Sequence, residues 1–571
     1  MRLSMLVFPA LLATLHAIQS LDSVFASSQL VNNLKGLSVS TNAEVNAKFP
    51  DLYEASVLEL QEGLDKGTFS SVDLVKTYIA RIKEVNTQGP ALRAVIEISP
   101  TVLDVALALD KERKTGGKRS MLHGIPILLK DNIATLASEG MNTTAGSYSL
   151  LGSVVPDDAG VVKRLRKAGA IILGKSNLSE FAYFRDWSFP SGWSGRGGQC
   201  FNAYYNNTDP CGSSSGSGVA ASIGLSALTL GTETDGSITC PSSNNNIVGI
   251  KPTVGLTSRA GVVPISEHQD TVGPMTRSVA DAAFVLSAIA GKDTNDNYTL
   301  AQPSTVPDYS KALRADAFKG KHIGVPRVNS TNPPSANDIV MNEALENAIQ
   351  IVRELGATVI DPVELPSANE ILNVGNAELF ILETDFKIQL GEYYKSLAKN
   401  PSGVRSLADL IVYNDAHPEL EEYQGHEGQS ILRESQSTTG RNSTYFKTLS
   451  SNKDVGGKRG IDAALTANRL DALMAPALGW LTTPAAIAGY PIITLPLGFY
   501  PNDTLPQPGA GGIYWPAPGV PFGLSFVGTT WSEFNLIGFA YAYEQKTKTR
   551  LQKKAKVDAI PKTQLIDVVG H

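Results

Sequence analysis

Residues 211–252 read CGSSSGSGVAASIGLSALTLGTETDGSITCPSSNNNIVGIKP, and they form one apparent helix–strand unit. Two serine clusters, Gly212-Ser213-Ser214 and Asp235-Gly236-Ser237, stand at the two ends of this unit. Small residues and then an apolar run lie between the clusters, so the unit can be packed inside a protein. The glycines let backbone N–H groups come close to a ligand. The arrangement suits acyl-transfer chemistry and leaves open which residue supplies the base.

Short apolar strands alternate with helices on both sides of this unit. Buried strands are predicted at 126–129 and 170–173, with the helical segment VVKRLRKAG between them. Further predicted elements are two amphipathic helices within 52–85, a strand at 94–98, helices near 100–114 and 532–547, strands at 489–499 and 523–528, and charged helices over about 300–460. Such alternation indicates an α/β architecture. The chain shows neither an internal repeat nor a clear linker, which predicts one large domain over residues 51–560.

The N-terminus has the pattern of a secretory signal peptide. Arg2 gives a short positive region, the apolar LSMLVFPALLATL follows, and Val24-Phe25-Ala26 offers a small-residue cleavage site. A membrane anchor is the alternative, but the apolar run is shorter than the roughly 20 residues that a span needs. We therefore expect a signal peptide over 1–26, a polar and poorly ordered segment over 27–50, and a secreted protein without a membrane span.

Seven N-x-S/T sequons are consistent with secretion. Asn142 and Asn177 stand next to core-like strands, so we expect them to be buried and unmodified. The remaining candidate sites for N-glycans are Asn206, Asn297, Asn329, Asn442 and Asn502.

The composition of the chain bears on its partners and on its disulfide bonds. The 571 residues include 42% hydrophobic and 18% charged side chains, and the formal net charge is −6. No basic tract is interleaved with aromatic residues, which argues against a nucleic-acid partner. The three cysteines do not make a disulfide framework. One bridge is possible among them; Cys200–Cys211 would close the shortest loop and leave Cys240 free.

One nucleotide-binding motif and one hydrolase motif match the sequence, but the secondary structure predicted around each of them does not fit. Residues 169–176 fit the phosphate-binding P-loop pattern, yet their variable positions are Ala-Ile-Ile-Leu, which predicts a strand instead of a phosphate-binding loop. Residues 212–216 fit the G-x-S-x-G nucleophile elbow, which needs a strand directly before it. The polar segment AYYNNTDPC precedes the motif here. A flexible linker is the other reading of GSSSGSG, and the small apolar helix after it argues against that reading.

A lysine is the remaining candidate for the base. The chain has only seven histidines, and neither an H-E-x-x-H motif nor a Cys/His cluster supports a metal site. In GIPILLKDN, Lys130 follows an apolar strand, where burial would lower its pKa and make the neutral amine available. The alternative is a structural lysine that emerges at a strand end and pairs with Asp131.

The lysine, the GSSSG cluster and a GTETDGS segment whose last serine lies 24 positions beyond Ser213 together resemble the amidase signature family. Within the family, the chain is most similar to the peptide amidase-like branch of bacterial, fungal and plant amidases. The similarity covers about residues 55–550. It includes GKSNLSEFA (174–182), RGGQ (196–199), GIKPTVGLTSR (249–259), QDTVGPMTRSVADAA (269–283), AGYPIITLPLGF (488–499) and GLSFVG (523–528).

The resemblance implies a fold and a reaction. The fold would be a single α/β domain with a central, mixed and twisted sheet covered on both faces by helices. The reaction would be hydrolysis of a carboxylic acid amide through an acyl-enzyme, without cofactor or metal. Ser237 would be the nucleophile, Ser213 would follow a cis peptide bond and relay the proton, and Lys130 would be the base.

The resemblance also implies the surroundings of these three residues. Backbone N–H groups of the oxyanion hole would come from Thr234, Asp235, Gly236 and Ser237, while Ser214, Asp270 and Thr271 are expected to contact the substrate. Asp235 stands where the family commonly has glycine. It retains the backbone N–H but brings a carboxylate to the edge of the oxyanion hole, which bears on substrate polarity.

Three functional classes follow. A serine amidase acting on a small-molecule or short peptide amide is favoured. An esterase using the same triad is the second, because ester hydrolysis is chemically easier. A non-catalytic binding protein on this fold is the third, and the presence of all three catalytic residues argues against it. The signal peptide and sequons disfavour an amidotransferase subunit.

Overall fold

The computed structural model describes residues 49–327, 336–371, 373–424, 428–477, 479 and 481–570. The predicted signal peptide, almost all of the 27–50 segment and the sequon at Asn329 lie outside these ranges. Within them, the apolar runs of the sequence pair into one sheet of eleven strands and a separate two-stranded ribbon. The strands are β1 Val95–Ile98, β2 Pro126–Lys130, β3 Ile171–Ser176, β4 Trp193–Ser194, β5 Gly198–Gln199, β6 Leu228–Glu233, β7 Val248–Lys251, β8 Thr271–Thr276, β9 His322–Pro326, β10 Thr358–Val363, β11 Ala472–Pro476, β12 Ile492–Phe499 and β13 Pro521–Val527.

The large sheet is mixed. Its strand order is β1-β3-β2-β6-β8-β7-β12-β13-β11-β9-β10, with β4 and β5 forming the ribbon. Strand β2 lies between β3 and β6 and is parallel to both. From β6 onward, each strand is antiparallel to the next one in the order β6-β8-β7-β12-β13-β11. Because parallel strands end at the same edge of a sheet, the carboxyl ends of β2 and β6 meet there. Lys130 ends β2 and Glu233 ends β6, so this edge receives both residues.

Helices flank the sheet and complete a single α/β domain, as predicted. The α-helices are Val57–Asp65, Ser71–Val85, Val102–Gly116, Gly160–Ala168, Ser215–Ser222, Thr239–Asn244, Val279–Ile289, Ala336–Glu354, Ala368–Ile371, Gly375–Ser396, Leu407–Ala416, Pro418–Glu421, Ser430–Ser437, Ser443–Lys453, Asp462–Asn468, Thr482–Ala488 and Glu533–Thr547. A π-helical segment, Asp454–Ile461, joins two of them. None of the helices in the described ranges is both long and apolar enough to cross a bilayer.

The strands nearest the site are buried along their whole length because both of their faces are covered. Every residue of β2, β3, β6 and β8 is buried. Such strands appear in sequence as continuous apolar runs, which explains why 126–129 and 170–173 were predictable.

Several strands were not predicted, among them β8, β9, β10 and β11. The pattern over 300–460 indicated helices and turns, but β9 and β10 form a parallel pair at one end of the sheet. Most of β10 is at least partly exposed, and the Asp361-Pro362 bond within it is cis. A short, polar edge strand with a proline lacks the apolar signal of a central strand.

The cysteines also differ from the simplest expectation. Cys211 pairs with Cys240, and Cys200 is buried and free. The pair of cysteines closest in sequence, Cys200 and Cys211, therefore does not form the disulfide. The fold brings the residue before the first serine cluster next to the helix after the second one, and proximity in space determines which cysteines can pair.

Candidate active site

Lys130 and Ser213 meet at the sheet edge. The Nζ of Lys130 lies 2.7 Å from the Oγ of Ser213 and donates to the carbonyl oxygen of Thr232 at 3.1 Å. Both side chains are fully buried. The peptide bond between Gly212 and Ser213 is cis. The structure thus joins the end of β2 to the first serine cluster, and Ser213, not Asp131, is the side-chain partner of this lysine.

Burial alters the basicity of Lys130. It lowers the pKa of the ammonium to about 7, although the charges of Glu233 and Asp270 oppose the shift. Desolvation disfavours the charged form, so a substantial fraction of the amine is neutral at neutral pH. A neutral amine next to a serine hydroxyl can accept its proton.

Ser214 makes local hydrogen bonds to the backbone. Its buried hydroxyl donates to the carbonyl oxygen of Thr232 at 3.1 Å and accepts the Thr232 N–H at 3.3 Å. Its own N–H donates to the carbonyl oxygen of Ser237 at 3.1 Å, which ties the two serine clusters together. Substrate contact by Ser214 stays a prediction, and in this structure the side chain has a supporting role. It holds the turn through backbone groups on both sides.

Glycines allow this close packing at two positions. A Cβ on Gly212 would stand 2.4 Å from the Oγ of Ser179, and one on Gly216 would stand 2.2 Å from the carbonyl oxygen of Ala94. The helix Ser215–Ser222 can therefore approach the end of β3 only because these positions have no side chain.

Ser237 stands in the turn after β6, and Glu233 organises this turn. The buried Glu233 carboxylate accepts the N–H groups of Gly236 at 3.0 Å, Ile238 at 2.6 Å and Thr239 at 2.8 Å. The hydroxyl of Thr239 also donates to it. Sequence reasoning missed Glu233. Its position three residues before a glycine-serine turn is the signal that could have identified it, because carboxylates commonly accept N–H groups at helix starts.

The predicted oxyanion hole needs one correction. The N–H of Gly236 already donates to Glu233, so this donor is engaged. For the N–H groups of Thr234, Asp235 and Ser237, no acceptor is present among the described residues. Three of the four expected donors thus stay available for an oxyanion.

Asp270 and Thr271 lie behind the site. Asp270 is buried, and its carboxylate accepts the Thr234 hydroxyl at 2.7 Å and the Ile265 N–H at 2.8 Å. The hydroxyl of Thr271 donates to the carbonyl oxygen of Glu233 at 3.3 Å. Neither residue lines the cleft that reaches Ser237. In this structure they support the backbone around Thr234, and their role in substrate contact stays a prediction.

An open cleft of about 310 Å³ leads to Ser237. Within the described part of the chain, the hydroxyl of Ser237 has no hydrogen-bond partner. One wall comes from 182–187 and another from the start of the helix Gly375–Ser396. The described lining residues are Ala182, Tyr183, Phe184, Trp187, Thr234, Asp235, Ser237, Ile265, Gly375, Asn376, Glu378, Leu379 and Leu382. Most of them were not predicted, because both walls are distant in sequence from the serine clusters.

The segment 181–187 has an unusual backbone. Phe181, Ala182 and Tyr183 all have positive φ angles of 47°, 56° and 70°. Such backbone is rare for residues with a Cβ, and it occurs where surrounding contacts fix the chain. Arg185 supplies contacts of this kind because it bridges the buried carboxylates of Glu180 and Glu421.

Metal ligands and histidines do not converge at this edge. In the ranges that the structure describes, no three His, Cys, Asp or Glu side chains are placed to hold a metal ion. His268 lies between the hydroxyls of Tyr298 and Tyr445, and burial lowers its pKa to about 4. The side-chain partner of Ser213 is a lysine.

Comparison with known proteins gives a consistent result. The family model described as Amidase matches residues 73–479, which is more than half of the chain. A putative amidase of Arthroderma benhamiae is 43% identical over 528 residues, covering 88% of this chain and 87% of the relative. A probable amidase of Arabidopsis thaliana is 41% identical over 509 residues, covering 88% and 92%.

A solved structure agrees at the level of the fold. The native peptide amidase of Stenotrophomonas maltophilia superposes with a TM-score of 0.80 at 44% sequence identity. The match covers 88% of this chain and 99% of that one.

Proposed function

The chain belongs to the amidase signature family and hydrolyses carbon–nitrogen amide bonds, and from this premise we propose that Ser237 is its nucleophile, Ser213 its proton relay and Lys130 its base. The observation that carries the assignment is the 2.7 Å separation between Lys130 Nζ and Ser213 Oγ in a buried setting. A pKa of about 7 for Lys130 suits a base that works at neutral pH.

Acylation begins with two coupled proton transfers. Neutral Lys130 takes the proton of the Ser213 hydroxyl, and Ser213 takes that of Ser237. The Oγ of Ser237 bonds to the amide carbon, and the carbonyl oxygen becomes negatively charged. Backbone N–H groups of Thr234, Asp235 and Ser237 stabilise this oxyanion, at about 3 kcal/mol per donor. The C–N bond then breaks as the relay returns a proton to the leaving nitrogen.

Deacylation uses the same groups. Water replaces the amine, and the relay removes one of its protons while its oxygen bonds to the acyl carbon. Collapse of the second tetrahedral intermediate breaks the bond to Ser237, which regains its proton through Ser213. The products are a carboxylic acid and ammonia or an amine, and Lys130 ends neutral, as it began.

Peptide amides and other small amides are the proposed substrates. The relative with the matching structure is a peptide amidase. An open cleft with aromatic and aliphatic walls can take a side chain or a short peptide, and its volume lies in the range of small-molecule sites.

Secretion with N-glycosylation is also proposed. Asn206, Asn297, Asn442 and Asn502 are exposed, as glycan acceptors must be. Asn177 is buried and donates through its Nδ2 to two carbonyl oxygens, which excludes a glycan there. The Cys211–Cys240 disulfide suits an oxidising compartment. Expression in a secreting eukaryotic host should yield protein in the medium whose mass falls on glycosidase treatment; protein retained in the cell would contradict the proposal.

Active-site labelling tests the assignment of the nucleophile. A fluorophosphonate probe should modify Ser237, as read by mass spectrometry of the labelled peptide. Ser237→Ala should lose the label, while Ser450→Ala, an exposed serine on the helix Ser443–Lys453, should keep it. A label on Ser214, or labelling that persists in Ser237→Ala, would contradict the assignment.

A further inference from the structure

Two carboxyl groups face the cleft that leads to Ser237. Asp235 stands two residues before the nucleophile, and Glu378 is in the first turn of the helix Gly375–Ser396. Both line the cleft, and the described lining residues include no lysine or arginine. Among the residues that the structure describes, the cleft therefore has an acidic side and no lysine or arginine in its lining.

The nearby lysines make their hydrogen bonds to other groups, although the charge of Lys251 acts on Asp235. Lys130 is bound to Ser213, and the fully buried Lys251 donates to the carbonyl oxygen of Tyr490 at 2.7 Å. Burial raises the pKa of Asp235 to about 6, with a smaller contribution from Glu233. Burial and the charge of Asp235 raise the pKa of Glu378 well above its usual value. The charge of Asp235 thus disfavours ionisation of Glu378 beside it.

Both carboxyl groups are held by neighbouring side chains, and Glu378 has one oxygen free. Glu378 is only 8% exposed, and its Oε1 accepts the Nε2 of Gln269 at 2.7 Å. The Oδ2 of Asp235 accepts the hydroxyl of Thr483 at 2.8 Å. Asp235 also interacts with the hydroxyl of Thr482, whereas no donor among the described residues reaches Glu378 Oε2. An acceptor of this kind at the wall of a substrate cleft gains most from a charged donor.

Much of the remaining cleft wall is apolar. Tyr183 and Trp187 pack edge to face with ring centroids 5.9 Å apart, and Ile265, Leu379 and Leu382 continue the surface. Apolar walls next to an acidic end match a side chain with a long aliphatic stem and a cationic head, because the stem can be buried while the head is paired.

We propose that Asp235 and Glu378 select amides whose acyl part carries a cationic side chain of the lysine or arginine type. This inference rests on the proposed function of Ser237. The charge belongs to the acyl part because a primary amide releases only ammonia, which leaves the remainder of the substrate to occupy the cleft. The free Oε2 of Glu378 and the neighbouring carboxylate of Asp235 receive the cationic head.

Two isosteric substrates isolate the charge. Nα-acetyl-arginine amide and Nα-acetyl-citrulline amide have side chains of the same shape. The arginine side chain ends in a charged guanidinium, and the citrulline side chain ends in a neutral urea group. We expect kcat/KM to favour the arginine amide by about tenfold or more, as charged hydrogen bonds permit. Glu378→Gln should reduce this ratio to about threefold or less. Glu383→Gln is the matched control: Glu383 is on the same helix but interacts with Glu434, and its variant should keep the ratio.

A binding measurement separates this inference from the assigned chemistry. Calorimetry on Ser237→Ala should show tighter binding of the arginine amide than of the citrulline amide, and Glu378→Gln added to it should remove the difference. Equal affinities, or a wild-type kcat/KM ratio near one, would overturn the inference. If wild-type protein turns over neither amide while Ser237→Ala still discriminates between them, the proposed reaction fails and the acidic recognition stands.

Discussion

A disulfide bond joins Cys211 to Cys240 across 29 positions of sequence. Cys211 stands two residues before Ser213, and Cys240 stands three residues after Ser237. The bond therefore links the segments that carry the proposed relay and nucleophile. Together with the hydrogen bond from the Ser214 N–H to the Ser237 carbonyl oxygen, it fixes the two serine clusters relative to each other.

Loss of this disulfide should lower stability. A cross-link over a loop of this length is worth about 3–4 kcal/mol through the entropy of the unfolded chain. The double variant Cys211→Ser/Cys240→Ser should unfold at a lower temperature and lose activity before global unfolding. Calorimetry and residual activity after heating measure both effects. An unchanged transition would show that packing alone holds the two segments, and wild-type protein under non-reducing conditions is the reference.

The pH profile should report on Lys130. Protonation below pH 7 removes the acceptor for the Ser213 proton, so kcat/KM should fall by about tenfold per pH unit below about 7 and level off above it. Lys130→Ala should lose about 10²–10⁴-fold at neutral pH and recover in part at high pH, where hydroxide supplies the base. Asp235→Asn tests whether the carboxyl pair causes the inflection. If the inflection persists in Lys130→Ala, another group is the base.

Neighbouring serines should differ in what they contribute. Ser213→Ala removes the proposed relay, so kcat should fall by about 10²–10⁴-fold with little change in unfolding temperature. Ser214→Ala removes two hydrogen bonds to Thr232 and should cost about 1–3 kcal/mol of stability. Steady-state kinetics and thermal unfolding of both variants give the comparison. Equal effects on kcat would contradict the division of roles.

Glu233→Gln should damage the nucleophile turn. The amide has one acceptor oxygen where the carboxylate accepts three N–H groups and a hydroxyl, and its NH₂ group would face donors. We expect a loss of about 2–4 kcal/mol of stability together with a lower kcat. Glu62→Gln, an exposed residue paired with Lys66, should change stability by less than about 0.5 kcal/mol. A Glu233→Gln protein with native stability would show that the carboxylate is not needed.

Glycine positions give a paired test of packing. Gly216→Ala would place a Cβ 2.2 Å from the carbonyl oxygen of Ala94 and 2.5 Å from the N of Asn177, both rigid backbone atoms. It should cost about 3 kcal/mol or more, or prevent folding. Gly391→Ala, in the helix Gly375–Ser396 with no atom within 4 Å, should stabilise by about 0.5–1 kcal/mol. Thermal unfolding of the two variants measures both effects. Unfolding temperatures that change in the same direction in both variants would contradict the packing argument.

The sequence by itself determined the fold class and, through its resemblance to the amidase signature family, the three residues proposed for catalysis. Lys130, Ser213 and Ser237 belong to local patterns: a lysine that ends an apolar strand and two glycine-serine turns at the ends of a helix–strand unit. Such patterns are readable because burial of a whole strand and the steric need for glycine act on adjacent residues.

Only the tertiary structure decided the surroundings of these residues. Glu378 meets Asp235 across more than a hundred residues of chain, Cys211 pairs with Cys240 instead of Cys200, and the Gly236 N–H is engaged by Glu233. Asp270 and Thr271 lie behind the site although the sequence placed them near it. These outcomes depend on which surfaces the sheet order and helix packing bring together, and long-range packing leaves no periodic signal in the sequence.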